Sequence, residues 1–73
     1  MAYYSFGENL KHYRQKKDIS AIVLARRLNV TPVTIWNWEN AVRYPGLNTV
    51  YDIANAIGVD VRLLLDPDSN WID

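Results

Sequence analysis

The sequence predicts an all-α fold of five short helices, and three observations carry the prediction. Apolar residues recur three and four positions apart, the spacing of one helix face. Good helix-starting residues precede these stretches: Ser5, Ser20, the pair Thr31-Pro32, and Asp60. Residues that turn or stop a helix follow them, notably Asn29, Gly58 and Pro67.

The first helix starts at Ser5, and Glu8, three residues on, makes a reciprocal capping box with it. Phe6, Leu10 and Tyr13 form its apolar stripe, and it ends near Lys16 or Lys17, where cations suit the negative end of the helix dipole. Ser20 caps the second helix, which runs through Leu28 with Leu24, Ala25 and Leu28 facing inward. Asn29 takes the turn, because asparagine tolerates the left-handed conformation better than most residues. Thr31 then caps a third helix over residues 32–40, and Pro32 fits its first turn, where the missing N–H costs nothing. Two helices joined by so tight a turn are the signature of a helix-turn-helix unit. In the third helix Ile35 and Trp38 share the inner face, while Pro32, Val33, Trp36, Asn37 and Asn40 lie on the other. Residues 41–45 form a loop. A fourth helix covers 47–57, with Leu47, Val50, Ile53, Ala54 and Ile57 at core spacing and Gly58 as its stop. Asp60 caps a last short helix through Leu65, ended by Asp66-Pro67-Asp68, since proline disfavours helix at the preceding residue.

With 73 residues the chain reads as one domain over 1–73, with a core over 6–65 and a short tail over 66–73. The absence of cysteine excludes disulfides and thiolate metal sites and suits a reducing cytoplasm. No apolar run is long enough to span a membrane, and the first residues lack the basic start and apolar stretch of a secretory signal, so a cytoplasmic protein is expected. The formal net charge is zero, but its distribution is uneven. Residues 1–45 carry seven Lys/Arg against three Asp/Glu, a net +4, and residues 46–73 carry one against five, a net −4. Such asymmetry points to one face that meets an anion; ordinary surface charge is the alternative.

Several stretches together carry a resemblance: ISAIVLARRLNV (19–30), TPVTIWNWEN (31–40), Pro45, and IANAIGV (53–59). Over residues 6–65 the chain resembles the Cro/CI (XRE) family of helix-turn-helix regulators of bacteria and phages. The resemblance implies a five-helix lambda-repressor-like domain that binds double-stranded DNA as a homodimer and acts as a transcriptional regulator, a repressor in most readings. The second helix of the motif would then lie in the major groove, where base edges distinguish all four pairs. The base-contact positions of the family fall on Pro32, Val33 and Asn37, with Trp36 beside them. Asn37 can pair with adenine, whereas Pro32 and Val33 can only pack on thymine methyl groups and Trp36 on a methyl or a sugar; packing of Val33 and Trp36 inside the protein is the alternative. Phosphate-contact positions fall on Ser20, Thr31, Asn40, Arg43 and Tyr44, although Ser20 and Thr31 serve as caps with or without DNA. Arg14 and Glu39 match a buried ion pair that ties the first helix to the third.

The chain departs from the family in three ways, one being that the two positions after Ala21, usually acidic and exposed, are Ile22 and Val23. Where a glutamine often follows the Ser20 position there is Ala21, and with Ile22 and Val23 it makes an apolar patch that suits a protein partner. The third helix also lacks arginine and glutamine. The alternative function is therefore a protein-interaction module on the same fold, antirepressor-like or antitoxin-like. Enzymatic chemistry is not expected, nor is a cofactor. His12, the one histidine, sits on a basic helix and reads as solvated or phosphate-facing, no carboxylate pair is placed for acid–base work, and the three glycines form no phosphate loop. The tryptophans and tyrosines read as core, with Trp71 as a tail anchor; Tyr3, Tyr4, Trp71 and Ile72 lie outside the family core and either pack together or form a dimer contact.

Overall fold

The computed structural model describes residues 5–66. They form five helices: α1 (Phe6–Lys16), α2 (Ala21–Leu28), α3 (Pro32–Glu39), α4 (Leu47–Ile57) and α5 (Val61–Leu65). Tyr3, Tyr4, Trp71 and Ile72 lie outside the described residues.

Three of the expected caps form. The Ser20 hydroxyl accepts the Val23 N–H at 3.1 Å, Thr31 Oγ1 accepts the Thr34 N–H at 3.3 Å, and Asp60 Oδ1 accepts the Arg62 N–H at 2.9 Å. Asp60 also takes two bonds from the Arg62 guanidinium. Those side-chain bonds, then the backbone bond, hold the Asp60 carboxyl at about 2 and raise Arg62 in turn. The capping box at Ser5 does not form. Ser5 has ψ 8°, not the extended backbone that aims a hydroxyl back at the helix, and its side chain makes no cap bond. It contributes through its carbonyl, which accepts the Asn9 N–H at 2.9 Å.

The first four helices close in one way. Asp18, Asn29, Ala41 and Gly58, the residues of positive φ, each stand just beyond a helix end. The N–H of the next residue reaches back five positions: Ile19 to Arg14, Val30 to Ala25, Val42 to Asn37 and Val59 to Ala54, all at 2.9–3.0 Å. This is the Schellman closure, in which orphan carbonyls of the last turn find donors and an apolar residue follows the left-handed one. That follower is β-branched every time. Ile19 is buried and Val30 and Val59 pack against the core, but Val42 is 58% exposed.

Phe6, Leu10 and Tyr13 of α1 meet Leu24 and Ala25 of α2, Ile35 and Trp38 of α3, Val50, Ile53, Ala54 and Ile57 of α4, and Leu64 of α5 in a single core. The principal helix contacts run α1 to α3, α3 to α2, α2 to α4, α4 to α5 and α5 back to α1, so they close a ring. Leu47 departs from its expected core position. It opens α4 ahead of the packed turn and is 54% exposed. Aromatic placement is also mixed. Tyr13 and Trp38 are core residues, whereas Trp36, Tyr44 and Tyr51 are exposed. Two polar residues are buried with the core, Ser5 and Asn9; Asn9 lies fully buried on the inner face of α1, and its Nδ2 donates to the carbonyls of Leu64 (3.0 Å) and Asp66 (2.9 Å). Those bonds satisfy carbonyls at the end of α5.

Candidate nucleic-acid interface

Helix α3 is held from behind by a charged clamp. Arg14 Nε donates to Glu39 Oε2 at 2.7 Å and Nη2 to Oε1 at 3.1 Å, a two-pronged pair whose side chains are only 12% and 7% exposed. The remaining Nη1 donates to the Ile19 carbonyl at 2.9 Å, so one guanidinium joins α1, the α1–α2 turn and the end of α3. Beside the clamp, the backbones of α1 and α3 nearly touch at Gly7. A Cβ there would lie 2.6 Å from the carbonyl oxygens of both Trp38 and Glu39. The first turn of α1 thus lies directly against the last carbonyls of α3.

The helix-turn-helix angle is fixed by the turn itself. Asn29 at φ 59° and ψ 43° reverses the chain, Val30 inserts toward the core, and Thr31 caps α3 one residue later. Behind α2, Arg27 Nη1 donates to the Ala56 carbonyl at 2.9 Å and links α2 to α4.

With its inner side buried through Ile35 and Trp38, α3 turns Pro32, Val33 and Trp36 outward and leaves Asn37 half-buried beside them. Val33 is 65% and Trp36 57% exposed, so neither packs inside the protein. The polar groups at the rim are engaged locally. Thr31 Oγ1 and Thr34 Oγ1 share a hydrogen bond at 3.0 Å, and Asn40 Nδ2 donates to the Trp36 carbonyl at 2.9 Å, sealing the end of α3. Ser20, Thr31, Asn40, Arg43 and Tyr44 are all exposed. The expected patch of Ala21, Ile22 and Val23 does not assemble. Ala21 and Val23 are half-buried against the core, and only Ile22 is freely exposed, because successive residues of a helix point 100° apart.

His12 is half-buried, with its ring edge-on to Tyr13 at 4.8 Å and beside a cleft lined by Glu8, Lys11, Gln15 and Asn40. It is less solvated than its basic surroundings suggest. Among the described residues no group of His, Cys, Asp and Glu could hold a metal, and no helix is long and apolar enough to cross a membrane.

Two residues that shape the site escape the sequence reading. Gly7 carries no pattern of its own. Asn9 falls between Phe6 and Tyr13 on the apolar stripe, and a lone amide at a core position is the signal that would have found it.

Comparison with known proteins agrees with this geometry. The helix-turn-helix family model HTH_3 matches residues 10–64, which contain all of α2, α3 and α4. The uncharacterized HTH-type transcriptional regulator YqaE of Bacillus subtilis (strain 168) is 32% identical over 65 residues, covering 89% of this chain and 56% of that protein. The chain thus spans little more than half the length of that relative. Among solved structures, the clp gene regulator ClgR from C. glutamicum matches 100% of this chain and 97% of its own, with a TM-score of 0.86 at 19% identity, a likeness of fold. Hydroxypropylphosphonic acid epoxidase from S. wedmorenis matches 99% of this chain but 38% of its own, with a TM-score of 0.80 and 31% identity. That likeness is to part of a larger chain and extends to the helical fold, not to the epoxidase reaction. The matched span, the turn between α2 and α3 and the outward face of α3 agree: the chain belongs to the HTH_3 helix-turn-helix family, that of the XRE-type transcriptional regulators.

Proposed function

We propose that the chain is the sequence-specific DNA-binding domain of a transcriptional repressor, working as a homodimer with α3 in the major groove of double-stranded DNA. The observation that carries this reading is the outward face of α3, presented on a helix clamped from behind by Arg14–Glu39 and by the approach at Gly7. The major groove admits a helix of this kind. In this arrangement Asn37 supplies the paired hydrogen bonds that favour adenine, with Pro32, Val33 and Trp36 beside it against the base edges. Ser20 and Thr31 lie at the N-termini of α2 and α3, where backbone N–H groups and the helix dipole favour phosphate oxygens. Asn40, Arg43 and Tyr44 follow the end of α3 and contact the sugar–phosphate backbone, which sets register without reading sequence. The net +4 of residues 1–45 supports the same orientation. Two copies would read half-sites ~34–36 Å apart, one helical turn of DNA.

Titration of the chain with random and selected duplexes tests the proposal. Binding is expected to weaken steeply with salt, as counterions are released from the duplex. Asn37→Ala is expected to cost about 1–3 kcal/mol on the preferred site and relax its sequence preference, whereas Arg43→Ala should weaken all duplexes alike and lower the salt slope by about one. Absence of binding at low salt would overturn the proposal.

A further inference from the structure

We infer that Val33 and Trp36 form a reader of pyrimidine C5-methyl groups, so that the domain prefers C5-methylated pyrimidines and accepts 5-methylcytosine where it accepts thymine. The inference rests on the DNA-binding reading above and names what that surface recognises. Its basis is the composition of the exposed face of α3. Val33 and Trp36 are three residues apart, hence neighbours on one side of the helix, and both are mostly exposed. Apart from Asn37, which the reading above gives to adenine, the neighbouring polar groups are engaged locally: Glu39 is held by Arg14, Asn40 Nδ2 by the Trp36 carbonyl, and the hydroxyls of Thr31 and Thr34 by each other. What faces outward from these two positions is two methyl groups and an indole.

In the major groove the apolar group a base pair displays is the C5-methyl of thymine; cytosine carries a hydrogen there. Thymine and cytosine also differ in their polar edge, O4 against N4–H₂, and telling these apart requires a donor or acceptor at the contact. Valine supplies neither, and the indole of Trp36 carries a single donor, Nε1–H at the ring edge, so its carbon face and the valine methyls can meet only the C5 substituent. Discrimination at these positions therefore falls on the methyl itself, which 5-methylcytosine places at the same carbon. Burial of one methyl between the base edge and these side chains is worth about 0.8 kcal/mol, or about four-fold in affinity.

The test uses the whole chain and a pool of random-centre duplexes enriched by binding at low salt. The enriched pool is copied with thymidine and with deoxyuridine in place of thymidine, the preferred site is also made with each contacted T·A pair replaced by C·G carrying either cytosine or 5-methylcytosine, and each duplex is titrated by fluorescence anisotropy. The deoxyuridine copy should bind about four-fold more weakly for each methyl contacted, and the 5-methylcytosine duplex should bind about four-fold more tightly than its cytosine counterpart for each methyl restored. Val33→Ala and Trp36→Ala alter exposed side chains, so far-UV circular dichroism should be unchanged, while the difference between the thymidine and deoxyuridine copies should shrink and the salt slope persist. Equal binding of the thymidine and deoxyuridine copies, with ordinary salt dependence, would overturn this inference and leave DNA binding standing. Failure to bind any copy at low salt would overturn both.

Discussion

Arg14 gives its whole guanidinium to the protein interior, to both oxygens of Glu39 and to the Ile19 carbonyl. A nearly buried pair of this kind is fragile to the loss of one member, because the survivor is left charged and dehydrated. Arg14→Ala should destabilise by about 3–5 kcal/mol in urea denaturation. Replacing both members, Arg14→Met with Glu39→Leu, should recover most of that loss, the residue being the donor that the Ile19 carbonyl no longer has. A smaller and opposite effect belongs to Ala41. It is the left-handed residue that closes α3 without glycine or a short polar side chain to ease it, at φ 59°. The left-handed backbone costs alanine roughly 1–2 kcal/mol, and glycine loses part of that advantage through greater freedom in the unfolded chain. Ala41→Gly is therefore expected to stabilise by about 0.5–1 kcal/mol, seen as a higher urea midpoint at unchanged slope.

At the scale of the element, the helices were legible because their signals are local. Ser20, Thr31-Pro32 and Asp60 start them, Asn29 and Gly58 stop them, and Ile35 with Trp38 sorts the faces of α3 correctly. Errors arose where local signals compete with packing. Ser5 and Glu8 read as a capping box, yet Ser5 is buried with the wrong ψ. Leu47 has core spacing but starts its helix too early to reach the core. The turn at Ala41 was hidden because alanine is not a customary left-handed residue; Asp18 is of a type that tolerates that backbone, but the basic run before it drew the reading. In the candidate site, the outward set Pro32, Val33, Trp36 and Asn37 follows from periodicity alone, and the Arg14–Glu39 pair was reached only by family resemblance, being 25 residues apart in sequence. The Gly7 approach was invisible, since it depends on where another helix passes. It is also where one atom should move a whole element. Alanine is favoured over glycine in a helix by about 1 kcal/mol. Here its Cβ meets two backbone carbonyls at 2.6 Å, and backbone cannot swing aside as a flexible side chain would. Overpacking of about 1–3 kcal/mol, less that gain, means that Gly7→Ala should lower stability by up to about 2 kcal/mol, with amide chemical-shift changes concentrated in α3.

Across the molecule, the ring of helix contacts leaves, among the described residues, further apolar side chains exposed besides Ile22 and the outward face of α3. Val42 points outward from the closure of α3, Tyr44 follows it, and Leu47 and Tyr51 lie one turn apart at the start of α4, all about half exposed or more. A second copy of the chain is the occupant that the homodimer proposal requires, and a region beside the end of α3 would set the distance between two reading helices. Leu47→Glu with Tyr51→Glu changes exposed residues only, so the fold should survive while sedimentation equilibrium shows the weight-average mass falling from dimer to monomer. A native chain that stays monomeric both alone and on a selected duplex would remove the homodimer from the proposal.

Asn9 has a consequence of another sort. By bonding the carbonyls of Leu64 and Asp66 from within α1, it brings the two ends of the five-helix unit to one place on the surface. A unit whose ends meet behaves as a cassette: a longer chain can enter and leave it through a single seam, without a connector that must cross the domain. The same outline fills 97% of the ClgR chain and 38% of the epoxidase chain. In this chain one buried amide fastens that seam.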